Sequence, residues 1–312
     1  MIDYNKAELF AEPSPSELIA VKADWDSRNL IPTDYQEVEV VELQERQAVF
    51  KIISYKFDGL KEYAALLIPT SGEDLPVRFQ INGFGLGITE NSITIASGPN
   101  SGSNAILAIP ALRGQSLKVT LEGKTYVTPV SEGIHCDAFD GAADDVIGLM
   151  NVLQTTESRA NVNRTAVRGG SRGATIALLV AERDTRVKMA FAVAGPSDLL
   201  DLTAQSENDP TYQCQVLDDL VNKRITMAEA RHKMIASSPL FFAADLPQAQ
   251  MHLGKNDKIV PVSEGEQLRQ KMDELGRSDS FELFIYEDRG HTDIVMGNTL
   301  LNDRIDSLLS QL

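Results

Sequence analysis

The chain is poor in the residues that carry most specialised chemistries. Its 312 residues hold two cysteines, four histidines and one tryptophan. Cys136 and Cys214 have no Cys-x-x-Cys spacing, which predicts two free thiols and neither a disulfide framework nor a zinc site. No apolar run approaches the roughly 20 residues of a membrane span. The first residues lack the basic flank and apolar centre of a secretory leader. A cytoplasmic protein with no membrane partner is therefore expected. Positive charge is scarce, with 29 Lys and Arg against 45 Asp and Glu, a net charge of −16 and a pI near 4.7. Such a field repels nucleic acid and suits neutral or cationic substrates better than polyanions. The glycine-rich stretch 83–87 is not followed by Gly-Lys-Ser/Thr, so a phosphate-cradling loop is excluded. There is no internal repeat and no low-complexity tract. What remains is a chain 43% hydrophobic, long enough to build one large core.

The pattern changes along the chain. Residues 1–35 read as an N-terminal helical arm, with a helix over 17–28 that presents Leu18, Ile19, Val21 and Trp25 to the main body. Period-two alternation then predicts antiparallel strands at 38–43, 48–55 and 63–68. Further strands are predicted at 77–81, 105–109, 166–169 and 187–193, with helical patterns between the later ones. Alternating strands and helices argue an α/β class: a mostly parallel twisted sheet with helices on both faces, over residues 36–312. Residues 197–246 interrupt the alternation and are expected to form a small helical cap. Specificity is expected there and in the stretches 84–103 and 114–140. The apolar arm is expected either to fold back on its own domain or to pack on a second copy.

The chemistry-bearing segment is Gly169-Gly170-Ser171-Arg172-Gly173, which follows a β-prone run and opens an Ala/Leu-rich helix. A serine at a sharp strand-to-helix turn is a nucleophile elbow, with its hydroxyl exposed beside a helix N-terminus. A hydroxyl needs a base, and the base needs an orienter. His291 follows the late β-like run 281–286 in a Gly-His loop and is the expected base. His232 lies in a charged helical stretch and His252 inside an apolar strand. Asp257, in a polar turn after the strand 249–253, is the expected acid. Asp198 is the competing choice, and Asp288 is too close to His291 in sequence. The oxyanion donors are expected to be the Arg172 N–H and a second N–H from the glycine-rich loop that follows the strand 77–81. The Asp-rich loop 137–145 reads as a helix N-terminus with capping acids. A further option is that Asp137 or Asp140 reaches the substrate pocket and binds a cationic group.

These segments together make the chain resemble the α/β-hydrolase superfamily. More narrowly it resembles the catalytic domain of prolyl-oligopeptidase-type hydrolases and the acetyl xylan esterase/cephalosporin deacetylase group. The resemblance runs from about Glu62 to the end. It rests on Asn82-Gly83-Phe84, Arg113-Gly114-Gln115-Ser116, the helix opening at Asp144-Asp145, the turn around Ser171, Ser238-Pro239-Leu240, Gly254-x-x-Asp257-x-x-Val260-Pro261 and Gly290-His291. It implies that the Phe84 N–H is the second oxyanion donor, and that Asn82 and Gly83 lie at the substrate. Three positions depart from the pattern: Asn82 stands for a histidine, Arg172 for Tyr or Gln, and Ala174 for a frequent glycine. An Arg after the nucleophile also occurs in glucuronoyl esterases, where its side chain helps to stabilise the oxyanion. The implied activity is serine hydrolysis through an acyl-enzyme, without cofactor or metal. Too few residues precede the hydrolase core to build the β-propeller that gates prolyl oligopeptidases, so a small ester, as in a deacetylase, is the expected substrate. A short peptide is the alternative, and a non-catalytic hydrolase-fold binding protein the distant one.

Overall fold

The computed structural model describes residues 4–83, 90–95 and 104–312. Its centre is a nine-stranded sheet. Three antiparallel strands come first: β1 (Thr33–Leu43), β2 (Ala48–Phe57) and β3 (Leu60–Pro69). The β2–β3 turn is Asp58-Gly59, both at positive φ, the backbone that lets two residues close a hairpin. The chain then adds β4 (Leu75–Ile81), β5 (Glu90–Ile95), β6 (Ile106–Ala111), β7 (Ser116–Leu121) and β8 (Lys124–Val127). The remaining strands are β9 (Ala160–Gly170), β10 (Val187–Val193), β11 (Gln248–Gly254) and β12 (Phe281–Tyr286). The order across the large sheet is β1-β2-β3-β6-β4-β9-β10-β11-β12, parallel from β6 onward. β10 and β11 are buried along almost their whole length, as strands covered on both faces must be.

The helices come in the order α1 (Lys6–Leu9), α2 (Pro15–Ser27), α3 (Asp140–Thr156), α4 (Arg172–Arg183) and α5 (Leu199–Gln205). They continue as α6 (Pro210–Tyr212), α7 (Asp218–Val221), α8 (Met227–Ala236), α9 (Ser263–Glu274) and α10 (Thr299–Leu309). α3 and α4 contribute Val146, Leu149, Ile176 and Leu179 to the main core. α10 brings Leu301, Ile305 and Leu308 onto a separate cluster with Phe191 and Tyr286. The result is an α/β fold with a mostly parallel mixed sheet, of the α/β-hydrolase kind.

Three features correct the sequence reading. First, residues 90–95 and 116–127, where the sequence reading places no strand, are regular: β5, β7 and β8 form a small second sheet. Its Leu117, Val119, Leu121 and Tyr126 pack on Phe50, Ile52 and Leu67 of the large one. The period-two alternation of Leu117, Val119 and Leu121 was the available signal. Second, Ile19 points to solvent, 69% exposed, whereas Val21 is buried. Third, Cys136 and Cys214 are not free thiols; they form a disulfide with Cα atoms 5.6 Å apart. Among the described residues no helix is long and apolar enough to cross a membrane.

The N-terminal helices are fastened by polar contacts. Ser14 and Glu17 form a reciprocal capping box at α2. Arg231 of α8 donates to Glu17 Oε1 at 2.6 Å and to the carbonyls of Glu8, Leu9 and Ala11. Trp25 packs on Phe242 with ring centres 4.5 Å apart, and its Nε1–H donates to Asp140 at 2.7 Å.

Between the sheet and α3 lies a fully buried acid, Glu62 of β3. Burial pushes its carboxyl up to about 9, and the neighbouring Asp145 carboxylate acts in the same sense. A folded-state pKa above the unfolded value gives stability that is present at low pH. That stability is lost as pH rises from about 4.5 toward 9. Glu62→Gln, neutral at every pH, is therefore expected to gain stability over wild type as pH rises from 5 to 9. Denaturant midpoints measured across that range check this; a constant gap would mean that Glu62 titrates normally in the folded protein.

Candidate active site

Three parallel strands end at one edge of the sheet, and each delivers one polar side chain. β9 ends in Gly169-Gly170, and Ser171 follows at φ 51°, ψ −125°. This left-handed φ is strained for a residue with a Cβ. Two hydrogen bonds hold it: Ser171 N–H to Val193 O at 2.8 Å, and Ala174 N–H to Ser171 O at 2.9 Å. Two glycines bring the end of β4 against the same turn. A Cβ on Gly173 would stand 2.3 Å from Ile81 O, and one on Gly83 would stand 2.0 Å from Gly170 O. Neither position has room for a side chain. α4 begins with Arg172, so the positive end of its dipole lies beside the serine.

The loops after β11 and β12 are stitched together. Asn256 N–H donates to Arg289 O at 2.8 Å, and Lys255 N–H to Tyr286 O at 2.9 Å. Gly290 N–H is held by Asp293 Oδ1 at 2.6 Å. This framework sets Asp257 and His291 face to face. His291 Nδ1 lies 2.8 Å from Asp257 Oδ2, and His291 Nε2 lies 2.9 Å from Ser171 Oγ. The second Asp257 oxygen accepts from the N–H groups of Ile259 and Val260. Burial pushes the Asp257 carboxyl up, but the hydrogen bonds from His291, Val260 and Ile259 outweigh it and hold it below the usual carboxylate range. The carboxylate thus stays ionised, which favours an Nδ1–H tautomer and leaves Nε2 to accept from the serine hydroxyl.

Several other sequence candidates sit elsewhere. Asp198 is the N-cap of α5, accepting from Leu200 and Asp201 N–H groups. His252 is fully buried on β11, with Nδ1 3.0 Å from the Tyr286 hydroxyl; burial, then Arg168 and Arg304, push its pKa down to about 3. His232 is half-buried, 3.4 Å from Asp24. The suggested role of Asp140 in the substrate pocket is corrected. Its carboxylate is taken up by Trp25, Arg28 and Arg183, on the side where the N-terminal helices pack. Asp137 pairs with Arg113. Asn82 receives a hydrogen bond from Gln80 and donates to Ser92 O of β5, so it joins the two sheets. Phe84 lies outside the described residues.

The serine opens into a cleft of about 590 Å³. Gly83, Phe139, Val193, Pro196, Val260 and Ile294 give it a largely apolar wall, to which Asp209 and Tyr212 add polar groups. Sequence reading singles out neither of these two. Both fall between β10 and β11, where no periodicity distinguishes a lining residue from any other. Arg172 also lines the cleft, and its guanidinium donates to Gln115 Oε1 at 2.8 Å. Burial pushes the Arg172 pKa down to about 10, against the pull of Asp145, so the group remains a cation at neutral pH. His135, Cys136 and Cys214 gather three ligand-type atoms within 4.8 Å, but the two sulfurs are bonded to each other.

Comparisons place this geometry among known proteins. No curated protein matches the sequence. Among solved structures the chain is similar to acetyl xylan esterase 1 from Thermoanaerobacterium sp., at 14% identity and TM-score 0.69, over 99% of each chain. It is also similar to an acetyl xylan esterase from Paenibacillus sp., at 15% identity and TM-score 0.64, over 98% of this chain and 99% of that one. The Pyrococcus horikoshii acylaminoacyl peptidase matches 86% of this chain but only 41% of its own length, at 15% identity and TM-score 0.62. Identities this low establish the shared fold alone. The family model of the prolyl oligopeptidase family matches residues 134–310, more than half of the chain and the whole stretch that carries Ser171, Asp257 and His291; the chain belongs to that family.

Proposed function

We propose that the protein is a serine hydrolase acting through an acyl-enzyme, with a small carboxylic ester as substrate. The observation that carries this reading is the continuous hydrogen-bonded chain from Ser171 Oγ through His291 to Asp257. Ser171 Oγ attacks the acyl carbon while His291 Nε2 takes its proton. Asp257 holds the imidazole and stabilises its charged form. The tetrahedral oxyanion is met by the N–H of Arg172, with the Phe84 N–H as the proposed second donor. His291 then returns the proton to the leaving oxygen, and water hydrolyses the acyl-enzyme by the same base. The buried Arg172 cation adds positive potential beside the developing charge.

Ester is preferred to amide because the end-to-end match is with esterases, whereas the peptidase match covers under half of that protein. The peptidase reading stands second, on family membership. A hydrolase-fold binding protein without turnover would leave Ser171 unreactive.

Ser171→Ala is expected to abolish turnover of p-nitrophenyl acetate and labelling by a fluorophosphonate probe. Aminoacyl and dipeptidyl p-nitroanilides are expected to remain uncleaved by wild type; efficient anilide cleavage would instead favour the peptidase. Asp257→Asn, which keeps the shape but reverses the tautomer demand, is expected to lower kcat by about 10⁴-fold. A loss under tenfold would remove Asp257 as the orienting acid. Arg172→Lys is expected to lower kcat without raising KM, and unchanged turnover would take the guanidinium out of the mechanism.

A further inference from the structure

The cleft is closed on one side by the segment that carries Asp209 and Tyr212. Tyr212 ends α6 (Pro210–Tyr212), which runs without a break through a π-helical turn, Gln213–Leu217, into α7. The far end of this turn is anchored by Val216 and Leu217, buried with Leu9 and Met234. At its near end, two residues beyond Tyr212, Cys214 is bonded to Cys136. Cys136 stands three residues before Phe139, which also lines the cleft. One covalent bond therefore joins two segments, 78 residues apart in sequence, that each supply a lining residue. Both half-cystines are only half-buried, within reach of a small dithiol.

The chemistry of this wall is specific. Most of the cleft is apolar, and among its described lining residues Asp209 is the one acid. The half-buried Tyr212 phenol is pushed up to about 12, first by burial and then by Asp209, Glu264 and Asp257. It remains a neutral hydroxyl able to donate or accept. A carboxylate and a phenol on an otherwise apolar wall suit a substrate that carries a hydrogen-bond donor, a hydroxyl or an ammonium, near the scissile bond.

We propose that Asp209 and Tyr212 form the wall that selects such a substrate, and that the Cys136–Cys214 disulfide is the latch that holds this wall over Ser171. The proposal rests on Ser171 being the nucleophile. Opening the latch is a balanced exchange. A dithiol gives two electrons and two protons to the Cys136–Cys214 bond, leaving two cysteine thiols, and itself closes to a disulfide. The triad belongs to strand-end loops and is left in place, so the change falls on substrate affinity.

The test uses the full chain and two matched pairs of acetate esters. Glyceryl monoacetate is paired with its dimethyl ether, and 2-aminoethyl acetate with propyl acetate. Oxidised wild type is expected to favour at least one donor-bearing ester over its partner by about tenfold in kcat/KM, the scale of one charge-assisted hydrogen bond. Which pair shows the preference separates a hydroxyl from an ammonium. Asp209→Asn and Tyr212→Phe are expected to bring that ratio toward one. Dithiothreitol, and separately the double variant Cys136→Ser with Cys214→Ser, are expected to raise KM for the favoured ester, with fluorophosphonate labelling of Ser171 retained. A ratio near one in oxidised wild type would overturn the selecting wall. An unmoved KM, with both thiols shown free by mass spectrometry, would overturn the latch. Failure of wild type to label at all is a different result, and would overturn the nucleophile assignment beneath both.

Discussion

The constraint on which the site depends is steric: the end of β4 and the turn after β9 touch backbone to backbone. Gly83 lies against Gly170 O and the Ser171 Cβ, and Gly173 against Ile81 O. Because these contacts leave no space for a side chain, the serine cannot relax away from its positive φ without separating two paired strands. β4 and β9 are in parallel register from Val77–Thr165 to Ile81–Gly169, so such a separation would break the centre of the sheet. The strain at Ser171 is thus held by the core and not by local hydrogen bonds alone. The same contact fixes where α4 starts, and with it the direction of the N–H groups beside Ser171. His291 and Asp257 are then aligned by loops leaving the neighbouring strands β12 and β11, whose own parallel pairing runs to Gly254 and Tyr286.

Electrostatics complete the placement. A net charge of −16 suggests an acidic surface, yet several of the acids are turned inward onto arginines. Asp140 and Asp144 at the start of α3 meet Arg28 and Arg183, and Asp145 receives three hydrogen bonds from Arg113. These acids sit at a helix N-terminus, where negative charge is already favoured, and the arginines then tie the N-terminal helices and the loop after β6 to it. The arrangement leaves Arg172 as a buried cation on the cleft floor, hydrogen-bonded to Gln115 on that same loop. A protein that is strongly acidic as a whole therefore presents a locally positive floor beside its serine.

How far the sequence discloses this follows from what each feature depends on. Ser171, Asp257 and His291 are readable because each lies at a strand end, and strand ends announce themselves by an apolar run meeting glycine or a polar turn. The α/β class is readable for the same reason. Asp140 was misplaced because a helix-capping acid and a ligand-binding acid look alike along the chain; only the positions of Arg28 and Trp25, more than a hundred residues earlier, separate them. Ile19 reads as inward because it adjoins Leu18, yet it sits about 100° round the helix from it, off the face that buries Val21. The β7–β8 hairpin is hard to read although Leu117, Val119 and Leu121 alternate correctly, since the run is only six residues long.

The disulfide belongs to the same argument and carries it further. Two cysteines 78 residues apart give no spacing signal, because bond formation depends on Cα atoms meeting at about 4.4–6.8 Å in space. That distance here, 5.6 Å, is set by where the residues before α3 and the turn after α6 come to rest. Elements with strong periodicity fold into position by burying apolar faces, and their residues can be read from the pattern that drives the burial. The segment around α6 has no such pattern, and the Cys136–Cys214 bond adds a covalent tie to the burial of Val216 and Leu217. A wall held in this way can change composition without disturbing the sheet, while the strand-end loops cannot. Under the proposed reading, substrate choice is concentrated in the part of the chain whose fold is least written in its own sequence.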